Sequence, residues 1–93
     1  MVVGIMSLRL MIPGARSLKD KRSALRSIKD RLRSKFNVSV AEVNHQEYWQ
    51  TAVLGVCAVG TDRPFVEGLL DAVIAMVRAN HRVEIMRSEK EFV

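Results

Sequence analysis

The order of hydrophobic patterns along the chain predicts an α+β fold. It is a ferredoxin-like βαββαβ sandwich, whose four-stranded antiparallel sheet carries two helices on one face. Four segments have the pattern of strands, two have apolar residues at three- and four-residue steps, and turn or capping residues separate them. The 93 residues are 48% hydrophobic and 27% charged. This is the composition of one globular domain, which we place at residues 1–93.

The first strand and the first helix are the most clearly marked elements. Residues 2–12 alternate, with the even-numbered positions apolar on one face and a mixed set on the other. Pro13 and the glycine after it end this strand. Ser17 is the predicted N-cap of a helix that runs to about Phe36, and Asp20 completes an acidic version of the capping box.

The second half of the chain supplies the remaining elements. Residues 38–45 and 51–60 predict strands two and three, and strand three is small or apolar on both faces. Residues 61–64 contain cap candidates and an early proline, which predict the start of a helix that ends at Asn80. A last strand begins at 83–86 and fades into charged residues. The predicted buried face of helix two consists of Phe65, Leu69, Val73 and Val77, with Val66, Leu70 and Ile74.

Positive charge is concentrated in the first helix. The net charge is +5. Residues 1–40 hold ten Lys and Arg against two Asp, a balance of +8, whereas residues 41–93 hold five against eight acids, a balance of −3. Five cations at three- and four-residue steps share one helix face, where they are placed to meet a phosphate backbone. With Arg16 before the helix, the candidate nucleic-acid-binding residues are Arg16, Lys19, Arg22, Arg26, Lys29 and Arg33.

The sheet face away from the helices is predicted to be apolar and therefore to pack against a second copy of the chain. An alternative is that the last strand or the C-terminal tail folds over this face. Tyr48 and Trp49, in the turn between strands two and three, fit either a recognition surface or a plug for the core or the dimer partner, and we favour the plug. The candidate dimer residues are Val3, Ile5, Met11, Tyr48, Trp49, Val53 and Val59.

A long signature resembles one known family. It comprises 17–23 (SLKDKRS), 28–32 (IKDRL) and 36–43 (FNVSVAEV), followed by His45-Gln46 and Trp49-Gln50. Together these stretches resemble the YlxP-like family of small bacterial proteins, a domain of unknown function. The resemblance implies a ferredoxin-like fold and supplies no activity or catalytic residues. The genes of such proteins often lie among translation and ribosome-maturation genes, which implies an RNA or ribosome setting.

The leading functional expectation is a non-catalytic RNA- or ribosome-associated factor that binds phosphates through the first helix. Strands one and three lack the aromatic residues with which an RNA-recognition motif stacks bases, so the helix is expected to bind structured RNA by shape. One alternative is a protein-interaction or regulatory module that uses the same basic face. A less favoured one is a phosphate-binding hydrolase of acylphosphatase type, with Arg16 after strand one and Asn44 as the available asparagine.

Metal binding and cofactors are not expected. The histidines His45 and His81 have no H-x-x-H or C-x-x-C spacing around them. Cys57 is the single cysteine, so an internal disulfide is excluded. No segment approaches the roughly 20 apolar residues of a membrane span. We therefore expect a cytoplasmic protein without a membrane partner.

Overall fold

Six elements follow one another in the computed structural model, which describes residues 1–93. The sheet order is β2-β3-β1-β4, and every pair of neighbours is antiparallel. This is the predicted α+β class with the ferredoxin-like element order, which is thereby confirmed. The elements are β1 (Val2–Met11), α1 (Leu18–Lys35), β2 (Ser39–Asn44), β3 (Thr51–Gly60), α2 (Arg63–Arg78) and β4 (Glu84–Phe92).

The core lies between the helices and one face of the two central strands. The even-numbered residues of β1 and β3 point toward the helices, as the alternation predicts. Burial of this apolar surface is the main stabilising contribution. Close packing also needs Gly4, because a Cβ there would lie 2.5 Å from Val66 Cγ1. The largest buried apolar side chains are Met6, Leu8, Leu10, Leu25, Leu32, Leu54 and Leu70.

Both helices begin at the predicted caps. Ser17 Oγ accepts a hydrogen bond from Asp20 N at 3.1 Å. The Asp20 carboxylate accepts from Arg16 N at 3.0 Å, so the box closes one residue before the cap. At α2, Asp62 Oδ1 accepts from Phe65 N at 2.9 Å. These bonds satisfy amides that the first turn leaves unpaired. No helix combines the length and apolar character that crossing a membrane requires.

The predicted buried face of α2 is wrong at Phe65, whose side chain is 59% exposed. The other six residues of the predicted face are buried or half-buried, and the stripe is centred on the fully buried Val66, Leu70, Val73 and Val77. At about 100° per residue, Phe65 lies a quarter turn from the centre of that stripe. Its ring covers Gly60, where an added Cβ would lie 2.7 Å from the ring.

The last strand is longer than predicted and occupies a sheet edge. Backbone hydrogen bonds of 2.8 and 2.9 Å join Val3 to Val93, so the tail continues the sheet along β1. Lys90 forms an ion pair with Asp71 on α2. The proposal that the tail folds over the open sheet face is therefore wrong. The length of β4 was underestimated because β4 is an exposed edge strand, where backbone pairing does not need apolar alternation.

Candidate functional site

The five cations Lys19, Arg22, Arg26, Lys29 and Arg33, here called the basic row, lie on one flank of α1. Four of them are exposed, and Lys29 is half-buried. None has a carboxylate oxygen within 4 Å, since the ion pairs of the chain involve only Lys21, Arg87 and Lys90 as cations. The charge of the row is therefore not neutralised within the chain.

The basic row runs along the edge strand β2. Of the four strands, α1 approaches the backbone of β2, whereas α2 approaches β1, β3 and β4. Near one end of the row, Arg33 Nη2 donates to Val40 O at 2.6 Å. Near the other end, Lys21 Nζ donates to His45 O, also at 2.6 Å. From Lys19 to Arg33 the row covers about 14 residue steps of roughly 1.5 Å each, or about 21 Å along the helix axis.

Lys21 is the fully buried charged residue of the chain, with 0% exposure. Its ammonium lies 2.9 Å from Glu42 Oε2 and donates to the carbonyl oxygens of His45 and Thr51 at 2.6 and 3.0 Å. A weaker contact reaches Gln46 O at 3.5 Å. Because an ammonium has three donors, the site uses the full capacity of the group. The side chain thus fixes both ends of the β2–β3 connection to α1.

The residues from His45 to Gln50 are here called the aromatic loop. In addition to the contacts of Lys21, hydrogen bonds of Gln50 attach this loop to the segment between β1 and α1. The Gln50 side-chain Nε2 donates to Pro13 O at 3.2 Å and to Ala15 O at 3.1 Å. Its backbone oxygen accepts from Ile12 N at 2.7 Å. Lys21 and Gln50 together join the aromatic loop, the β1–α1 loop and the first turns of α1 into one hydrogen-bonded unit.

The aromatic side chains of this loop are exposed. Tyr48 is 59% and Trp49 is 55% accessible, and neither side chain makes a hydrogen bond within the chain. The interpretation of Trp49 as a plug for the core is therefore wrong, whereas its packing against a dimer partner stays a prediction. The His45 backbone has a φ of +62°, in the left-handed region, and its ring lies 4.9 Å from that of Tyr48. The turn leaves the side chains of Tyr48 and Trp49 exposed to solvent.

Arg16 and Asn44 occupy different surroundings. Arg16 is exposed before α1, and its backbone N–H is already bonded to Asp20. Asn44 Oδ1 accepts from His45 N at 2.8 Å, and the side chain lines a depression on the open sheet face. That face lies on the side of the sheet opposite to the helices. Asn44 therefore lies on the open sheet face, whereas Arg16 lies directly before the first turn of α1.

The sheet face away from the helices is divided. Next to β2 it is apolar, with Ile5 41% and Val59 55% exposed and Val43 lying over Gly55. Next to β4 it is charged, because Glu91, Glu89 and Arg87 stand opposite odd-numbered residues of β1. Among the predicted dimer residues, Val53 is only 8% exposed, so it has little surface left to bury. Val3 and Met11 are half-buried.

The homodimer through this face stays a prediction. We expect Ile5→Lys to shift sedimentation velocity toward the monomer, because the charge would enter the apolar half of the interface. Ala75→Lys, at an exposed position on α2, adds the same charge elsewhere and is expected to leave the sedimentation unchanged. A wild-type chain that sediments as a monomer at high concentration would contradict the prediction.

Sequence reasoning missed the roles of Lys21 and Gln50. A signal for Lys21 was present, since it lies four and seven residues before Leu25 and Ile28 and so falls within the apolar stripe of α1. A charged residue at that position indicates a buried, fully paired ammonium. Gln50 carried no comparable signal, because its partners are backbone carbonyls that the fold brings together from a distant segment.

These features define a small ferredoxin-like domain in which a basic row without carboxylate partners lies beside an aromatic loop held by Lys21 and Gln50. The sequence profile of a family described as "Protein of unknown function (DUF503)" matches residues 3–90, and the chain belongs to this family. The Uncharacterized protein YlxP of Bacillus subtilis (strain 168) is 36% identical over 90 residues, which cover 95% of this chain and 98% of that protein. The resemblance to the YlxP-like family is confirmed.

A solved structure supports the fold alone. The De novo designed protein Foldit4 matches 98% of this chain and 96% of its own length, with a TM-score of 0.53 and 13% sequence identity. At this identity, the similarity concerns the backbone arrangement and carries no statement about activity.

Proposed function

We propose that this protein is a non-catalytic RNA- or ribosome-associated factor that binds the phosphate backbone of structured RNA through the basic row. The observation that carries the proposal is the line of cations on α1 without a carboxylate partner in the chain. Phosphates neutralised by such a row release counterions, which gives affinity without sequence preference. The family resemblance implies an RNA or ribosome setting for such a partner.

The shape of the row supports a polymeric anion rather than a single small one. Its charges are spread over about 21 Å along one flank of α1. Arg33 also contacts Val40 O, which holds the last cation close to the sheet edge. A nucleic-acid backbone presents phosphates at regular intervals over such a length, whereas a small phosphate ester engages only one or two cations.

Two other functions compete with this proposal. An acidic protein surface would also fit the basic row, and salt would weaken that interaction as well. A hydrolase of acylphosphatase type is less favoured, because the N–H groups of Ala15 and Arg16 are engaged by Ile12 O and Asp20 rather than free for a phosphate.

Binding to RNA across a salt series tests the proposal. The purified protein is titrated with ribosomal subunits and with total RNA while the salt concentration is raised. If all five cations of the row contact phosphates, log K should fall with log salt at a slope of roughly −3.5 to −4.5. Polyglutamate serves as a competitor of similar charge but without ribose phosphates.

The outcomes separate the three functions. Steep salt dependence with displacement by RNA and not by polyglutamate supports the RNA proposal. Absence of binding at low salt, or equal displacement by polyglutamate, overturns it. Hydrolysis of an acyl phosphate that is lost in Arg16→Ala would favour the enzyme alternative instead.

A further inference from the structure

We infer that the aromatic loop binds an unpaired base of the RNA whose phosphates lie on the basic row. This inference rests on the proposed function and names its ligand more closely as duplex RNA interrupted by an unpaired nucleotide. The observation behind it is that the loop carrying two exposed aromatic rings, Tyr48 and Trp49, is hydrogen-bonded to the start of α1, where the row begins. Aromatic side chains at protein surfaces stack on bases that have left the duplex.

The loop is built as a fixed platform. The Lys21 ammonium holds His45 O and Thr51 O, and the Gln50 amide holds the carbonyls of Pro13 and Ala15. A flexible exposed loop would lose conformational entropy when it binds a base. Because these contacts already order the loop in the free protein, the entropy lost on binding is smaller. Exposed aromatic side chains on a loop fixed in this way are therefore ready for stacking.

The loop and the basic row are continuous. Lys21 contacts the loop from the first turns of α1, and Arg22 is its neighbour in sequence on the adjoining, exposed flank. From there the row follows β2 to the contact between Arg33 and Val40. An RNA strand along the row therefore reaches the loop at the end that contains Arg22.

The charge of the loop favours a base over a phosphate at this place. Glu47 is exposed and forms no ion pair, and Glu42 is already paired with Lys21. An unpaired carboxylate beside Tyr48 repels the backbone phosphate but not the uncharged face of a base. Phosphates are thus directed to the row and a base to the aromatic side chains.

This inference refines the expectation that RNA is bound by shape alone. The central strands contain no aromatic residues, so the open sheet face offers no stacking surface. The stacking surface lies instead on the β2–β3 connection, outside the sheet. A paired duplex has no base available for it, and only an interrupted one engages both parts of the site.

The test compares one RNA duplex with and without a single unpaired adenosine. We expect Trp49→Leu to weaken binding of the interrupted duplex by about 5- to 150-fold, the range measured for loss of one stacked base. The fully paired duplex should bind this variant and the wild type alike. Trp49→Phe retains an aromatic ring and should restore most of the affinity. Phe65→Leu removes an equally exposed aromatic side chain elsewhere and should have no effect.

A second readout uses the intrinsic fluorescence of the protein. The chain contains one tryptophan, so all indole emission comes from the aromatic loop. Quenching by the interrupted duplex, but not by the paired one, supports stacking. If wild-type protein binds both duplexes equally and Trp49→Leu changes neither, the inference is wrong and the proposed function stands. If neither duplex binds, both are wrong.

Discussion

Replacing Arg22 and Arg26 together with glutamate is expected to lower the affinity for RNA on the order of 100-fold at moderate salt, since two phosphate contacts are lost and repulsion takes their place. Both residues are exposed and lack carboxylate partners, so the substitutions break no ion pair within the fold. The slope of log K against log salt should also become shallower, by about one for each phosphate contact removed.

The matched control lies on the other flank of the same helix. Arg31 and Lys35 line the groove between α1 and α2. Arg31→Glu/Lys35→Glu changes the net charge of the protein by the same amount without touching the basic row. We expect this variant to keep most of the affinity of the wild type. Equal losses in the two double variants would mean that RNA responds to net charge and not to the row.

Lys21→Met is expected to reduce the free energy of unfolding by about 3–5 kcal/mol, the range found when one partner of a buried ion pair is removed. The substitution leaves the largely buried Glu42 carboxylate without a cation and the carbonyls of His45 and Thr51 without the ammonium donor. For a domain of this size, the loss corresponds to a decrease in Tm of roughly 15–30 °C. Thermal and urea unfolding followed by circular dichroism measure it.

Two companion variants identify the cause of that loss. Lys29→Met removes an ammonium from the same helix, where it has no ion pair, and should change stability by no more than about 0.5 kcal/mol. Lys21→Met/Glu42→Gln removes the uncompensated charge but leaves the loop carbonyls without the ammonium, so it should recover only part of the loss. Unchanged stability in Lys21→Met would show that the buried ammonium is not needed to hold the loop.

The dual role of α1 links these expectations. One flank exposes the basic row, while Lys21, on the buried side, fixes the aromatic loop through backbone carbonyls. Loss of Lys21 should therefore reduce both stability and binding of the interrupted duplex, because the stacking platform becomes mobile. Reversal of Arg22 and Arg26 should reduce binding of both duplexes and leave stability nearly unchanged.

The sequence predicted the fold correctly because local pattern and tertiary structure agree for most elements. The alternation in β1, the caps Ser17 and Asp62 and the apolar stripe of α1 all appear where expected. The exceptions have physical causes. Phe65 lies at the edge of its helical stripe, and β4 is an edge strand whose backbone pairing proceeds without apolar alternation.

The candidate site, like the fold, has features that the sequence predicted and features that depend on tertiary contacts. The spacing of the basic row places its five cations on one flank of α1, since a helix has a fixed period. Three other features depend on which distant groups come together in the fold. They are the lack of carboxylate partners for these cations, the burial of Lys21 and the exposure of Trp49. The sequence by itself determined the class of fold and the line of positive charge. The tertiary structure decided how the aromatic loop is held and what it exposes, because its contacts join residues some 24 to 37 positions apart.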